Sequence, residues 1–205
     1  MIDTRRYQWM IGGFGLTLLI AFSLYLFARG GAAATPGVQA GRSLHRFVAP
    51  LATSGLDAAA NVNPRCDPAR PARRGLNVCG REPIVLAFFV LGARPCERAV
   101  DALQRVSTGY PGIEFAAVAV GSARGPTATL VRRNRWSIPV AYDLTGSVGA
   151  LYGVSVCPMI ELARRGGVVE QRLIGDRWGH AGALAARVRV FAAGSGIDAA
   201  PPEPR

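Results

Sequence analysis

Two kinds of residue in this chain could carry chemistry, four cysteines and two histidines. A cysteine reacts or binds metal as its thiolate, so its surroundings decide its use. Cys96 follows Ala93-Arg94-Pro95 directly after an apolar run, and far along the chain Cys157 immediately precedes Pro158. Cys66 and Cys79 sit in a stretch rich in Asn, Pro, Arg and Gly. No combination of Cys and His has the spacing of a closed zinc site. His45 and His180 stand far apart without neighbouring partners and read as surface or loop residues. Neither a metal nor an organic cofactor is expected, which leaves the chemistry of sulfur.

What thiols do depends on the compartment, and the N-terminus bears on that. Segment 10–28 contains no charged residue and is rich in Leu, Ile and Phe. As a helix it would extend about 28 Å, close to a bilayer's hydrocarbon thickness. Arg5 and Arg6 precede it, Arg29 follows it, and Trp9 and Tyr25 lie toward its two ends. Two positive charges before the segment against one after predict a cytoplasmic N-terminus and an extracytoplasmic remainder. The stretch is long for a cleaved signal peptide, so an uncleaved, single-pass anchor in the cell membrane is expected. Outside the cytoplasm an even count of four cysteines reads as a disulfide framework or as redox pairs.

The net charge of +11 comes from 24 basic residues, all of them Arg. They are scattered singly or in pairs, with no basic stripe interleaved with aromatics, so a nucleic-acid partner is not expected. Half of the chain is hydrophobic, enough for one core of ordinary size.

The elements that must position the cysteines alternate. A short strand is expected at 47–51, then a long irregular insertion at 53–83 that Cys66 and Cys79 could tie down. The continuous apolar run 84–91 predicts a strand buried on both faces. Cys96, Ala99, Val100, Leu103 and Val106 then repeat at helical spacing, with Pro95 in the first turn and Gly109 and Pro111 beyond the end. A strand at 113–120, a helix at 126–136, a short strand at 140–142 and a brief helix at 145–152 follow. Segments 159–163 and 168–174, joined by Arg164-Arg165-Gly166-Gly167, predict a β-hairpin, and 179–191 a closing helix. This order requires an α/β layer fold with a mixed sheet.

The strand Ile84-Val85-Leu86-Ala87-Phe88-Phe89, Cys96 at the next helix start, and Leu151-Tyr152-Gly153-Val154 leading to Cys157-Pro158 together resemble the thioredoxin-like superfamily. Within it the chain looks like the TlpA-type membrane-anchored bacterial thiol–disulfide oxidoreductases, which are related to the AhpC/TSA redoxins. It covers 47–192, and 160–169 resembles the family's hairpin. The resemblance implies a three-layer thioredoxin-like α/β fold with a central mixed sheet. It also implies a cis bond before Pro158 and a proline loop that abuts the N-terminus of the Cys96 helix.

The resemblance breaks at the active-site turn. The family carries Cys-x-x-Cys there, usually after Trp. Here Gly92 stands at the Trp position, Ala93 at the first cysteine and Cys96 at the second. A dithiol cycle confined to the turn is therefore impossible. The resemblance instead implies a non-adjacent pair, Cys96 with Cys157, brought together beside Pro158 and working by thiol–disulfide exchange. In this reading Cys96, near a helix N-terminus with Arg94 and Arg98 close in sequence, is the nucleophile, and Cys157 resolves the mixed disulfide. The same pair as a permanent staple would contribute roughly 4 kcal/mol, and a structural Cys66–Cys79 bond roughly 3 kcal/mol, by chain entropy. Two further functions stay open. One is a non-catalytic binding module of the cell envelope, and the other a Cys96-dependent peroxidase, although Ala93 lacks the hydroxyl that peroxiredoxins place there.

The expected organisation is a cytoplasmic N-terminus at 1–9, an anchor at 10–28 and a flexible linker at 29–44. A thioredoxin-like domain at 45–193 and a disordered tail at 194–205 complete it. The expected partners are thiol- or disulfide-bearing envelope proteins, and the membrane through the N-terminal helix.

Overall fold

The computed structural model describes residues 4–29, 36–66, 74–80 and 82–199, in two units, Met1–Thr35 and Pro36–Arg205. The first unit holds α1 (Thr4–Arg29). This helix contains the segment expected to cross a membrane, but its side chains are described only at 13–25. Among the described residues no helix is long and apolar enough to cross a membrane. The expected span is therefore not shown. Residues 1–3 of the expected cytoplasmic N-terminus, 30–35 of the expected linker, 67–73 and 81 of the insertion and 200–205 of the tail lie outside the described residues.

In the second unit the chain runs through β1 (Phe47–Pro50), β2 (Gly75–Val78), β3 (Ile84–Phe89), α2 (Arg94–Ser107) and β4 (Glu114–Val120). It continues through α3 (Arg124–Asn134), β5 (Val140–Asp143), α4 (Ser147–Leu151), β6 (Met159–Ala163) and β7 (Val169–Ile174). A 3-10 turn (Asp176–Gly179) and α5 (Ala181–Gly194) close it. The main sheet has the order β5-β4-β3-β6-β7. β3 pairs parallel with β4 and β4 with β5, each through a helical crossover, while β6 and β7 are antiparallel. The mixed sheet is thus the one the alternating elements require.

Alternation along β3 explains its apolar continuity. Val85, Ala87 and Phe89 face a core shared with α2, α3 and α5, while Ile84, Leu86 and Phe88 face a second core shared with β1, β2 and Tyr152. All six residues are buried, so neither face can afford a polar side chain. Phe89 meets Trp136 edge-on at 5.7 Å between ring centroids, and the Trp136 indole N–H donates to Asp101 at 2.6 Å. Asp101 therefore positions a core tryptophan.

Two expectations need correction. The insertion at 53–83 is not irregular throughout, because β2 pairs antiparallel with β1, Phe47 opposite Val78. Leu76 and Val78 point inward, an alternation too short to stand out among the surrounding Arg, Pro and Gly. The same insertion is pinned by Tyr142, whose hydroxyl donates to Leu56 O at 2.9 Å and accepts the Ala58 N–H at 3.0 Å. The described part of the expected linker, 36–44, is not a loose tether. Val38 and Leu44 are buried, and backbone N–H groups of Gly37, Gly41 and Leu44 donate to Tyr152 O, Val169 O and Gly167 O, each at 2.8 Å. Small residues let this strap lie close against the sheet.

Candidate functional site

Every described cysteine is in a disulfide. Cys66 bonds Cys79 with Cα atoms 5.8 Å apart, tying β2 to the chain before it. Cys96 bonds Cys157 with Cα atoms 5.5 Å apart across 61 residues of sequence. The Cys157-Pro158 peptide bond is cis.

The turn that delivers Cys96 is built from both ends. β3 ends at Phe89, and Gly92 then takes φ +80°, a conformation that costs a residue with a Cβ about 1 kcal/mol or more. Ala93 caps α2 without a side-chain hydrogen bond, and Pro95 lies in the first turn. Glu97 reaches back from the helix, its Oε1 accepting the Gly92 N–H at 2.9 Å, while its Oε2 lies 3.5 Å from Arg133. Cys96 sits on the inward face with Ala99, Val100 and Leu103, and only 3 % of it is exposed.

Cys157 is placed by the loop between α4 and β6. Gly153 ends α4 with positive φ, Ser155 and Val156 are exposed, and Pro158 is buried with its carbonyl accepting the Gly175 N–H at 3.2 Å. Cys157 itself is half-buried against the α2-side core, its Sγ 3.9 Å from the carbonyl oxygen of Phe88. Beside the turn an open hollow of about 520 Å³ is lined by Leu91, Gly92, Glu97, Pro126, Leu130 and Arg133. The structure thus joins Cys96, Cys157 and Pro158 at one end of the sheet and keeps Cys66 and Cys79 in the separate insertion.

No protein-family model matches the chain, and no curated protein is similar to it by sequence. Solved structures are similar in fold. A protein from Chlorobium tepidum provisionally named thiol:disulfide interchange protein DsbE superposes with a TM-score of 0.60 at 18 % identity, over 75 % of this chain and 98 % of that one. The thioredoxin domain of a thiol-disulfide oxidoreductase from Bacteroides vulgatus gives 0.56 at 12 % identity, over 75 % and 98 %. A secreted Mycobacterium tuberculosis disulfide oxidoreductase gives 0.52 at 19 % identity, over 57 % and 89 %. The fold is thioredoxin-like.

Among the buried acids that sequence reasoning missed, beside Asp143 at the end of β5, is Glu161 on β6. It is fully buried on the face of the sheet that carries Met159 and Ala163, away from the α2-side core. Its Oε1 accepts the Val38 N–H at 2.7 Å, and its Oε2 has no hydrogen-bond partner among the described residues. Burial pushes its pKa from 4.5 up to about 7, although the Val38 N–H and nearby Arg172 favour the charged form. On the same side Tyr152 donates its hydroxyl to His45 O at 2.6 Å, and burial, with Glu161 adding to it, raises its pKa as well. The signal was a single charge inside the otherwise apolar Met159-Ile160-Glu161-Leu162-Ala163 run. Glu161 locks the strap to the sheet and is not part of the sulfur site.

Proposed function

We propose that the protein is a thiol–disulfide oxidoreductase whose working pair is Cys96 and Cys157, carried on an extracytoplasmic domain anchored in the cell membrane by its N-terminal helix. One observation carries the redox reading: a disulfide joins the start of α2 to the cis-proline loop, with one of its sulfurs in a half-buried residue at the surface. The fold's likeness to oxidoreductases of the DsbE kind supports it. The anchor and its orientation rest on the uncharged run 10–28 and on Arg5 and Arg6 before it. The partners this implies are envelope proteins bearing a dithiol or a disulfide.

The exchange moves two electrons. A client dithiol gives two electrons and two protons to the Cys96–Cys157 bond, becomes a disulfide, and leaves two protein thiols; a client disulfide meeting the reduced pair runs the reverse. No cofactor enters either direction.

The test mixes oxidised protein with a reduced dithiol peptide under native conditions and follows peptide oxidation. Cys96→Ser and Cys157→Ser should each abolish stoichiometric oxidation. The double variant Cys66→Ser/Cys79→Ser should retain it. If the wild type leaves the peptide reduced while the peptide still binds, the protein is a binding module and the proposal fails.

A further inference from the structure

We infer that exchange with the client passes through Cys157, on the proline loop, and that Cys96 is the sulfur that leaves and returns. This reverses the order expected from the sequence and rests on the redox reading above.

Access sets the first constraint. Displacement at a disulfide places the attacking sulfur in line with the bond, on the side of the attacked sulfur away from its partner. Cys96 is 3 % exposed and belongs to the core of Ala99, Val100, Leu103 and Trp178, with the 3-10 turn packed against α2. A client would have to open that core to attack it. Cys157 is half-buried and follows the exposed Ser155 and Val156, the latter 39 % accessible. An extended client segment can therefore reach the loop without disturbing the helix.

Leaving-group chemistry is divided, because burial works against a Cys96 thiolate while the helix N-terminus favours one. The thiol of lower pKa is expelled faster, and a helix N-terminus favours a thiolate. Cys96 lies in the first turn of the 14-residue α2, where Pro95 has no N–H and the Cys96 and Glu97 N–H groups already donate to Ala93 O, so the helix end acts on this sulfur through its dipole. The one carboxylate in that turn, Glu97, is engaged by the Gly92 N–H and Arg133. Cys157 Sγ faces the Phe88 carbonyl at 3.9 Å, an oxygen that accepts from a thiol and repels a thiolate. Access to Cys157 therefore sets the order, with the electron pair of the broken bond left on Cys96.

The steps balance. A client thiolate attacks Cys157 Sγ, forming a client–Cys157 disulfide, and the Cys96–Cys157 bond breaks with its electron pair on Cys96. The client's second thiolate attacks the client sulfur of that mixed disulfide and expels Cys157. The client has lost two electrons, and Cys96 and Cys157 take up the two protons from solvent. In reverse, Cys157 attacks a client disulfide, and Cys96 attacks Cys157 to release the client and restore the bond.

The test needs no variant at first. Native oxidised protein is exposed briefly to 2-mercaptoethanol, quenched in acid, alkylated and digested, and the adduct is located by mass spectrometry. The adduct should lie on Cys157 over Cys96 by about tenfold or more. Adduct mainly on Cys96, with exchange intact, overturns this assignment and leaves the redox reading standing. Exchange at neither cysteine in the native state overturns both. As a second measurement, 5,5′-dithiobis(2-nitrobenzoate) should modify native Cys96→Ser about tenfold faster than native Cys157→Ser, because the thiol left in the first is reachable and the thiol left in the second is buried. Equal or inverted rates contradict the assignment.

Discussion

Replacing Glu161 by Gln should remove a specific part of the pH dependence of folding. In the unfolded chain this carboxyl ionises near 4.5, while in the folded chain burial holds its proton to about 7. Between those values the folded state binds more protons than the unfolded state, so the free energy of unfolding falls as pH rises. The contribution is complete below pH 4.5 and is lost once pH passes the folded value. At about 1.4 kcal/mol per pH unit, the loss across this window is roughly 3 kcal/mol. Gln keeps an acceptor for the Val38 N–H and the volume of the side chain, but has nothing to ionise. Urea unfolding of both proteins from pH 5 to 8 measures the difference. The wild type should lose stability relative to Glu161→Gln as pH rises, by up to about 3 kcal/mol. Other titrating groups, including Glu114, which burial also raises, cancel in the comparison. Parallel curves for the two proteins would refute the assignment of a buried, proton-holding Glu161.

Reducing Cys96–Cys157 while Cys66–Cys79 stays intact should lower unfolding free energy by about 4 kcal/mol, the chain-entropy value for a loop of this length. Urea titration of oxidised protein against Cys96→Ser/Cys157→Ser checks it, and equal midpoints would mean that the reduced chain holds its ends together without the bond. Gly37→Ala should destabilise the domain by about 2 kcal/mol or more. Gly37 has φ +81°, and a Cβ there would run into the Glu161 carboxylate and the Arg172 side chain. Thermal or urea unfolding reads the loss, and a neutral effect would show that the strap is not seated on β6.

Much of the fold was legible because its elements carry long patterns. β3 announces itself as an uninterrupted apolar run, and α2 by five inward residues at helical spacing. The pairing of Cys96 with Cys157 could not come from spacing, since 61 residues separate them; only resemblance placed the proline loop beside the helix. β2 was hidden by its length, four residues with two inward side chains. The strap was hidden by composition, because Gly, Ala and Pro suit a tether and also suit a segment that must pass close over a sheet. Relative burial of two sulfurs is set by packing from the 3-10 turn and the core, which no local pattern records. That is why the order expected from the sequence placed Cys96 first and the proposed order places Cys157 first.

The central claim is that the Cys96–Cys157 bond opens and closes in the folded protein. Native protein equilibrated across glutathione buffers of graded potential, acid-quenched and alkylated, measures this directly. The account predicts that these two cysteines titrate together as a two-electron couple with a midpoint above about −300 mV, the region of labile rather than structural disulfides. A bond that stays closed at every potential until denaturant is added would contradict it.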